Sequence, residues 1–219
     1  VASFGQCNLI ENVSSSGWQL SITNRYFKSF RDFREKTDLK TPPENESVNR
    51  VFTTEFSLGK RFKNGWSATL DVPISANART SSFEHGGANT TRHTTSAFGL
   101  SDIRFTVYKW LLPTPMQKKW NMQLGLGLKF PTGNYNCQDY FYRNDTTKVL
   151  SAINPSVQLG DGGTGIIAAF NTFLVFNNRL NIYGEFYYLA NPQEQSGTLY
   201  TMGKVPSPNL LKTDAVNMS

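Results

Sequence analysis

Between residues 18 and 190 the sequence alternates apolar residues with polar or tiny ones, in stretches longer than a soluble strand usually needs. In 65–76 the even positions are Trp66, Ala68, Leu70, Val72, Ile74 and Ala76, and the odd ones are Ser67, Thr69, Asp71, Pro73 and Ser75. In 120–130 the even positions are Trp120, Met122, Leu124, Leu126, Leu128 and Phe130, separated by Asn121, Gln123, Gly125, Gly127 and Lys129. A strand sends successive side chains to opposite faces, so each stretch has one oily and one polar face. The same pattern, less clean, recurs in 18–30, 48–62, 99–111, 165–176 and 180–190, which makes seven candidate strands. Soluble strands average roughly 5–6 residues, whereas a tilted membrane-spanning strand needs about 9–11. Trp18, Tyr26, Phe62, Trp66, Trp120 and Phe130 stand near the strand ends, where a transmembrane barrel keeps its aromatic girdles.

The connections alternate in length. Lys63-Asn64-Gly65 predicts a tight hairpin in which Asn-Gly supplies the positive φ of a type I′ turn. Residues 113–118, with Pro113 and Pro115, and 177–179 are also short. Between them lie long polar links at 32–47, 77–96 and 132–164. Short, long, short, long is the plan of an outer-membrane barrel with periplasmic turns and extracellular loops. The expected fold is therefore an all-β, antiparallel, up-and-down transmembrane β-barrel with seven strands visible. Residues 1–16 are expected to be a periplasmic segment, 17–190 the barrel, and 191–219 an extracellular loop from which the chain continues into further strands. Residues 153–159 also alternate, but an eighth spanning strand there would break the order, so they are read as a strand-like piece of the third outer loop. The even positions of 66–76 and 120–130 should face lipid. A soluble sandwich or lipocalin-like barrel is the competing fold, because alternation alone does not say what the oily face meets.

Composition agrees with a sheet that is polar on one side. Hydrophobic residues make up 38% and aromatics 13%, a combination that suits neither a large apolar core nor a disordered chain. The net charge of +6 is scattered and forms no stripe of the kind nucleic acid would need. No apolar run approaches the ~18 residues of a transmembrane helix. Residues 1–16 hold no basic-then-apolar leader, so the sequence is expected to be a mature or trimmed form. Cys7 and Cys137 have no metal-ligand spacing and fall at opposite ends of the expected barrel, which predicts unpaired thiols or pairing of Cys7 outside this chain.

Four stretches resemble a family of Bacteroidota outer-membrane transporter proteins, related to the meta-pathway phenol-degradation outer-membrane β-barrels. They are 24–30 (Asn-Arg-Tyr-Phe-Lys-Ser-Phe), 98–104 (Phe-Gly-Leu-Ser-Asp-Ile-Arg), 124–133 (Leu-Gly-Leu-Gly-Leu-Lys-Phe-Pro-Thr-Gly) and 158–165 (Gln-Leu-Gly-Asp-Gly-Gly-Thr-Gly). The resemblance implies an outer-membrane barrel of more than eight strands and says little about a substrate. The polar, charged inner face departs from what a hydrocarbon conduit would want.

The remaining chemistry is weighed residue by residue. Residues 160–165 match G-x-G-x-x-G, with Glu185 about twenty residues on, but the dinucleotide fingerprint needs a helix after it and the sequence there reads as strand. Glu84, His85 and His93 share one loop and include the only histidines, so any metal site or hydrolase would have to be built there. Neither is favoured over solvated loop residues, and the chain is read as a non-enzyme without a cofactor. Tyr135, Tyr140, Phe141 and Tyr142 could stack on a sugar or fold the third loop back onto the rim. Sequons at Asn12, Asn45, Asn89, Asn144 and Asn217 read as polar loop composition. The candidate lumen-lining residues are Arg25, Glu55, Asp71, Asp102, Arg104, Lys129 and Glu185. Mixed charges inside a barrel can line a channel or pair to fill it. The expected function is a passive channel or transporter for a small solute. The alternatives are a closed barrel serving an envelope complex, and an outer-membrane hydrolase. Membrane lipid and lipopolysaccharide are the expected partners, with other envelope proteins on the closed reading and no nucleic acid.

Overall fold

The computed structural model describes residues 17–29, 32–34, 37–39, 47–82, 84–85, 92–112, 119–143, 147–177 and 180–192. Its main sheet curls into half of a barrel. The strands are β1 (Gly17–Ser29), β4 (Val48–Arg61), β5 (Trp66–Ser81), β6 (His93–Leu100), β7 (Arg104–Trp110), β8 (Trp120–Lys129), β11 (Gly165–Asn177) and β12 (Leu180–Ala190). They pair antiparallel in the order β1-β4-β5-β7-β8-β11-β12, with β6 also on β5. Two small hairpins lie in the long links: β2 (Asp32–Arg34) with β3 (Thr37–Leu39), and β9 (Gln138–Tyr142) with β10 (Lys148–Ala152).

All seven expected strands are present, and the even positions of 66–76 and 120–130 stand on the convex face, away from the polar side. On β8, Asn121, Gln123, Gly125 and Lys129 are buried, while Leu124, Leu126 and Leu128 stand on the exposed convex face. Leu20, Leu126 and Phe98 there are 68%, 70% and 78% exposed. A contiguous apolar face of this kind marks a surface meant for something other than water. The Asn-Gly turn is as expected, with φ of 63° at Asn64 and 76° at Gly65, and Phe62 N–H donates to Trp66 O at 2.9 Å.

Three expectations are corrected. The link at 77–96 is shorter, because β5 runs on to Ser81 and β6 starts at His93. Ala76, Ala78 and Thr80 still alternate with Asn77, Arg79 and Ser81, but the small outward residues hide the period. The fourth strand, expected over 99–111, instead runs from His93 to Trp110 in two pieces. Ile74 pairs with Leu100 but Asp71 with Arg104, so the second strand carries one extra residue, a β-bulge. Pro73 stands opposite the bulge: its carbonyl accepts from Ser101 N–H at 2.9 Å, and the N–H that would complete the ladder on that side does not exist. Third, 153–159 is not strand-like. It leaves β10 and enters a 3₁₀ turn at Pro155–Val157, capped by Asn154, whose side chain accepts from Ser156 N–H.

The strand ends that the short connections join lie at one end of the sheet, and those that the long ones join lie at the other, as the register requires. The edge strands β1 and β12 both run from the short-connection end to the long one. They cannot pair antiparallel with each other, and antiparallel closure takes an odd number of strands between them.

Gly125 shows how tightly the concave side is filled. It faces Tyr108 in register, and a Cβ on it would lie 2.5 Å from the Tyr108 ring and 3.0 Å from Ala169. Gly125→Val should therefore lower stability by about 1–3 kcal/mol through overpacking, whereas Gly59→Ala, where a Cβ meets nothing nearer than 3.7 Å, should be tolerated. Urea midpoints of the two variants decide this; equal midpoints would mean that the ring does not fill that space.

Candidate functional site

The concave face is built in tiers along the strands. At the short-connection end Trp110 and Phe173, both buried, meet edge to face at 5.8 Å between ring centroids. Above them is an amide ladder: Asn171 Nδ2 donates to Gln123 Oε1 at 3.1 Å, and Gln123 Nε2 to Ser67 Oγ at 3.3 Å. Asn121 is fully buried, with its side chain closing the end of β7 through Leu112 N–H and C=O.

Charged groups come next, and most are paired. Arg104 bonds Glu55, whose carboxylate is 5% exposed. Asp71 is hydrogen-bonded to Ser57, and Tyr187 lies near Arg104 on the same face. The bulge brings Ser101, Asp102 and Arg104 to the same side, and Ser101 Oγ donates to Ser75 Oγ at 2.9 Å. Lys129 is the centre of the next tier. Its buried ammonium bonds Asp102 Oδ2 at 3.3 Å and also Asp161. Asp102 further accepts from Gly133 N–H at 2.9 Å, and Asp161 from Gly163 N–H at 2.9 Å and from Asn191 Nδ2 at 2.8 Å. At Asp161 burial raises the pKa, but Lys129, the Gly163 N–H and Asn191 outweigh it and hold the carboxylate in its charged form.

Of the seven residues proposed from the sequence, the structure brings together Glu55 with Arg104 and Lys129 with Asp102. Asp71 lies on the same face, bonded to Ser57. Arg25 and Glu185 occupy the exposed inner side of the two edge strands, β1 and β12. Asp161, Arg79, Gln123 and Asn171 belong to the site and were missed, and Glu84 was weighed only as a partner of the two histidines. Asp161 was hidden in the glycine-rich run, and Arg79 in a link that proves to be partly strand.

The glycine-rich run is a packing device. A Cβ on Gly160 would lie 2.6 Å from Asp102 Oδ1 and 2.7 Å from Gly133 O, and one on Gly133 would lie 2.6 Å from Leu159 O. The stretches 98–104, 124–133 and 158–165 therefore meet at one junction around Lys129. Strand β11 follows, not a helix, so the dinucleotide fingerprint lacks its anion-binding element.

The third long link forms a cap at the long-connection end of the sheet. Phe141, Ile153, Val157 and Leu159 bury against Ala97 and Cys137. Asn77 Nδ2 donates to the carbonyls of Val157 and Gln158, each at 3.2 Å, and Ser96 N–H to Asp139 at 2.8 Å. Cys137 is buried and carries a free thiol; Cys7 lies outside the described residues. Phe141 and Tyr142 fold the link back. Tyr140 is exposed, and the Tyr135 ring lies against Gly162.

Glu84, His85 and His93 belong to this cap. Glu84 is bonded to Arg79 at 2.7 Å and accepts from Asn154 Nδ2 at 3.2 Å. His85 Nδ1 accepts from Tyr142 N–H at 3.2 Å, its ring stacks on Phe141 at 5.2 Å, and His93 stacks on Tyr142 at 3.8 Å. With Glu84 committed to Arg79 and His85 to a backbone N–H, the three act as a latch between links, and they do not converge as metal ligands. No protein-family model matches this sequence, and no curated protein does.

Two outcomes test the site. Lys129→Met leaves Asp102 and Asp161 facing each other without a cation, and breaking a buried pair costs of the order of 3 kcal/mol; adding Asp102→Asn should recover part of that loss. Unfolding midpoints of the single and double variants measure the coupling, and strict additivity would show that the pair is not coupled. Burial and then the neighbouring His93 lower the His85 pKa from its ordinary 6.5, against the opposing pull of Glu84 and Asp139. A folded-state pKa below the unfolded one means that the latch contributes fully above 6.5 and weakens as pH falls below it. Hydrogen exchange at Tyr142 N–H should accelerate through that window, and His85→Gln should remove the dependence.

Proposed function

We propose that this chain forms the larger part of a bacterial outer-membrane β-barrel and provides a passive path for a small polar solute. One observation carries the membrane reading. Among the described outward positions of the strands there are four charged residues, all basic: Lys28 and Arg50 near the long-connection end, and Lys60 and Lys109 near the short one. Between them the convex face is apolar, and its few polar groups are partnered. Thr54 Oγ1 donates to Asn24 Oδ1 at 2.7 Å, and Thr172 Oγ1 to Asn121 O at 3.1 Å. Arg50 and Lys60 are ten residues apart on β4, about 34 Å along a strand. At the usual tilt of roughly 40° that is about 26 Å in height, close to the ~25 Å apolar band of an outer-membrane barrel. A soluble sandwich would cover this face with a second sheet, whereas here it carries indole rings at its rim: Lys60 Nζ lies 4.5 Å above the Trp18 ring and Lys109 Nζ 4.8 Å above Trp66.

The solute path runs along the exposed inner side of β1 and β12, past Arg25 and Glu185, because the concave faces of β4, β5, β7, β8 and β11 are filled by their own pairs. The same filling favours a second reading, a closed barrel that serves as a subunit of an envelope complex. On either reading the closing strands come from outside 17–190, and the sequence resemblance to Bacteroidota outer-membrane transporters supports a larger barrel. Reconstitution of the intact protein in planar bilayers separates the readings. The channel reading expects small unitary steps that grow when Asn77→Ala loosens the cap. An inserted protein with no conductance and no solute flux in either form would leave the closed barrel, and a protein that fails to insert would sink both.

A further inference from the structure

The third long link is held down at two places of unlike chemistry. It leaves β8, reaches β6 at Ser96 and β5 at Asn77, and returns to β11, so it lies across the long-connection end of the concave face. Its base is a knot of neutral hydrogen bonds. Ile153 N–H donates to Cys137 O at 3.0 Å, and Cys137 N–H to Gln158 Oε1 at 2.7 Å. Gln158 Nε2 donates to the carbonyls of Cys137 and Ile153, at 3.2 and 3.1 Å. Asn77 fastens this base to β5, and amides do not titrate. The far half of the β9–β10 hairpin is held by groups that do. Tyr142 N–H donates to His85 Nδ1, His93 stacks on the Tyr142 ring, and the centroids of the two imidazoles are 5.1 Å apart. A ring nitrogen that accepts an N–H carries no proton of its own. Adding one sets two donors face to face and removes the tie. Charge on His93 of β6 and on Lys148 of β10, which lies 4.8 Å above the Tyr142 ring, opposes the new cation. Glu84 and Asp139 favour it, but Glu84 is bound to Arg79 of β5 and to Asn154, and Asp139 of β9 to Ser96 N–H.

We propose that the β9–β10 hairpin is a lid that neutral His85 holds shut and acid releases, pivoting on Cys137 and Ile153 while Gln158 and Asn77 keep its base in place. As a gate on the solute path, the lid rests on the channel reading above. The direction follows from the latch. Burial and then His93 hold the His85 pKa below its ordinary 6.5, so the lid is shut above 6.5 and opens as pH falls below it. Phe141 is buried beside Cys137, Ile153, Val157 and Leu159. A hairpin that swings out on its base carries Phe141 away and uncovers Cys137.

The buried free thiol of Cys137 reports the movement. In the intact protein carrying Cys7→Ser, its reaction with 4,4′-dithiodipyridine, which proceeds in acid, is timed at about pH 8 and about pH 5, a range in which exposed carboxylates stay charged. Each rate is divided by that of the urea-unfolded protein. The relative rate should be roughly tenfold or more higher at the lower pH. In His85→Gln, whose amide oxygen accepts the Tyr142 N–H at either pH, it should stay low at both. His93→Phe keeps the stack on Tyr142 and removes the opposing charge, so release should move to higher pH. Equal protection of Cys137 at the two pH values, the same acceleration in His85→Gln, or a release that moves to lower pH in His93→Phe would each overturn the lid. Planar-bilayer currents at the same two pH values test the gate, with larger steps expected in acid for the parent and not for His85→Gln. Currents that ignore pH while labelling follows it sink the gate. Acid-dependent labelling with no current at either pH sinks the channel reading and leaves the lid standing.

Discussion

Register is the constraint on which the rest of this structure depends. Side chains alternate with a period of two, so sliding one strand by a single residue would carry every apolar residue of that strand to the concave side and every polar one to the convex side. On β8 that slip would bring Lys129 out of its contacts with Asp102 and Asp161 and press Leu124, Leu126 and Leu128 into the amide and ion-pair tiers. The ladder between β8 and β11 is continuous from Gly165 opposite Lys129 to Leu174 opposite Trp120, without a shift. Polar pairing inside and apolar exposure outside thus select the same register, which is the agreement between local and global preference that a foldable sequence needs.

The bulge at 101–103 departs from that regularity, and much of the interior is organised around it. A proline in β5 removes one donor, the neighbouring strand gains one residue, and three polar side chains of 101–104 turn inward. Ser101 reaches Ser75, Asp102 reaches Lys129 and the Gly133 N–H, and Arg104 reaches Glu55. Asp102 then ties the bulge to the glycine-rich run, so a local backbone irregularity is coupled to a loop some sixty residues later through one carboxylate. Burying these charges is tolerable because each has a partner of opposite sign and further donors.

The strands, their facing and the Asn64-Gly65 turn were legible because they are carried by local pattern: hydrophobic period and turn chemistry both act over a few residues. The upper half of β5 and all of β6 were not, because Ala76, Ala78, Thr80, Thr94 and Ser96 are small or hydroxylated and give no hydrophobic period, although their backbone is ordinary strand. The charged inner residues could be assigned to a face by counting, but their partners could not, since Glu55 and Arg104 are 49 residues apart and Lys129 and Asp161 are 32 apart. The cap was misread for a related reason. Ile153, Val157 and Leu159 looked like one face of a strand, yet they are a small apolar cluster laid over the mouth, and their spacing reflects a 3₁₀ turn.

The two faces of the sheet answer to different demands. The convex side needs only to be apolar over a fixed height and cationic at its borders, so many sequences would satisfy it. The concave side is a set of specific pairs, and its charges are nearly balanced among the described residues: Arg25, Arg61, Arg79, Arg104 and Lys129 against Glu55, Asp71, Glu84, Asp102, Asp161 and Glu185. An interior that neutralises itself this closely exerts little net pull on an ion of either sign. On the channel reading proposed above, discrimination falls to the inner side of the edge strands, where Arg25 on β1 and Glu185 on β12 carry opposite charges on the strands farthest apart in the sheet. Closure of the barrel would set the distance between those two groups. On that reading the selectivity of the proposed path is bound to the strands that complete the sheet more than to the filled half described here.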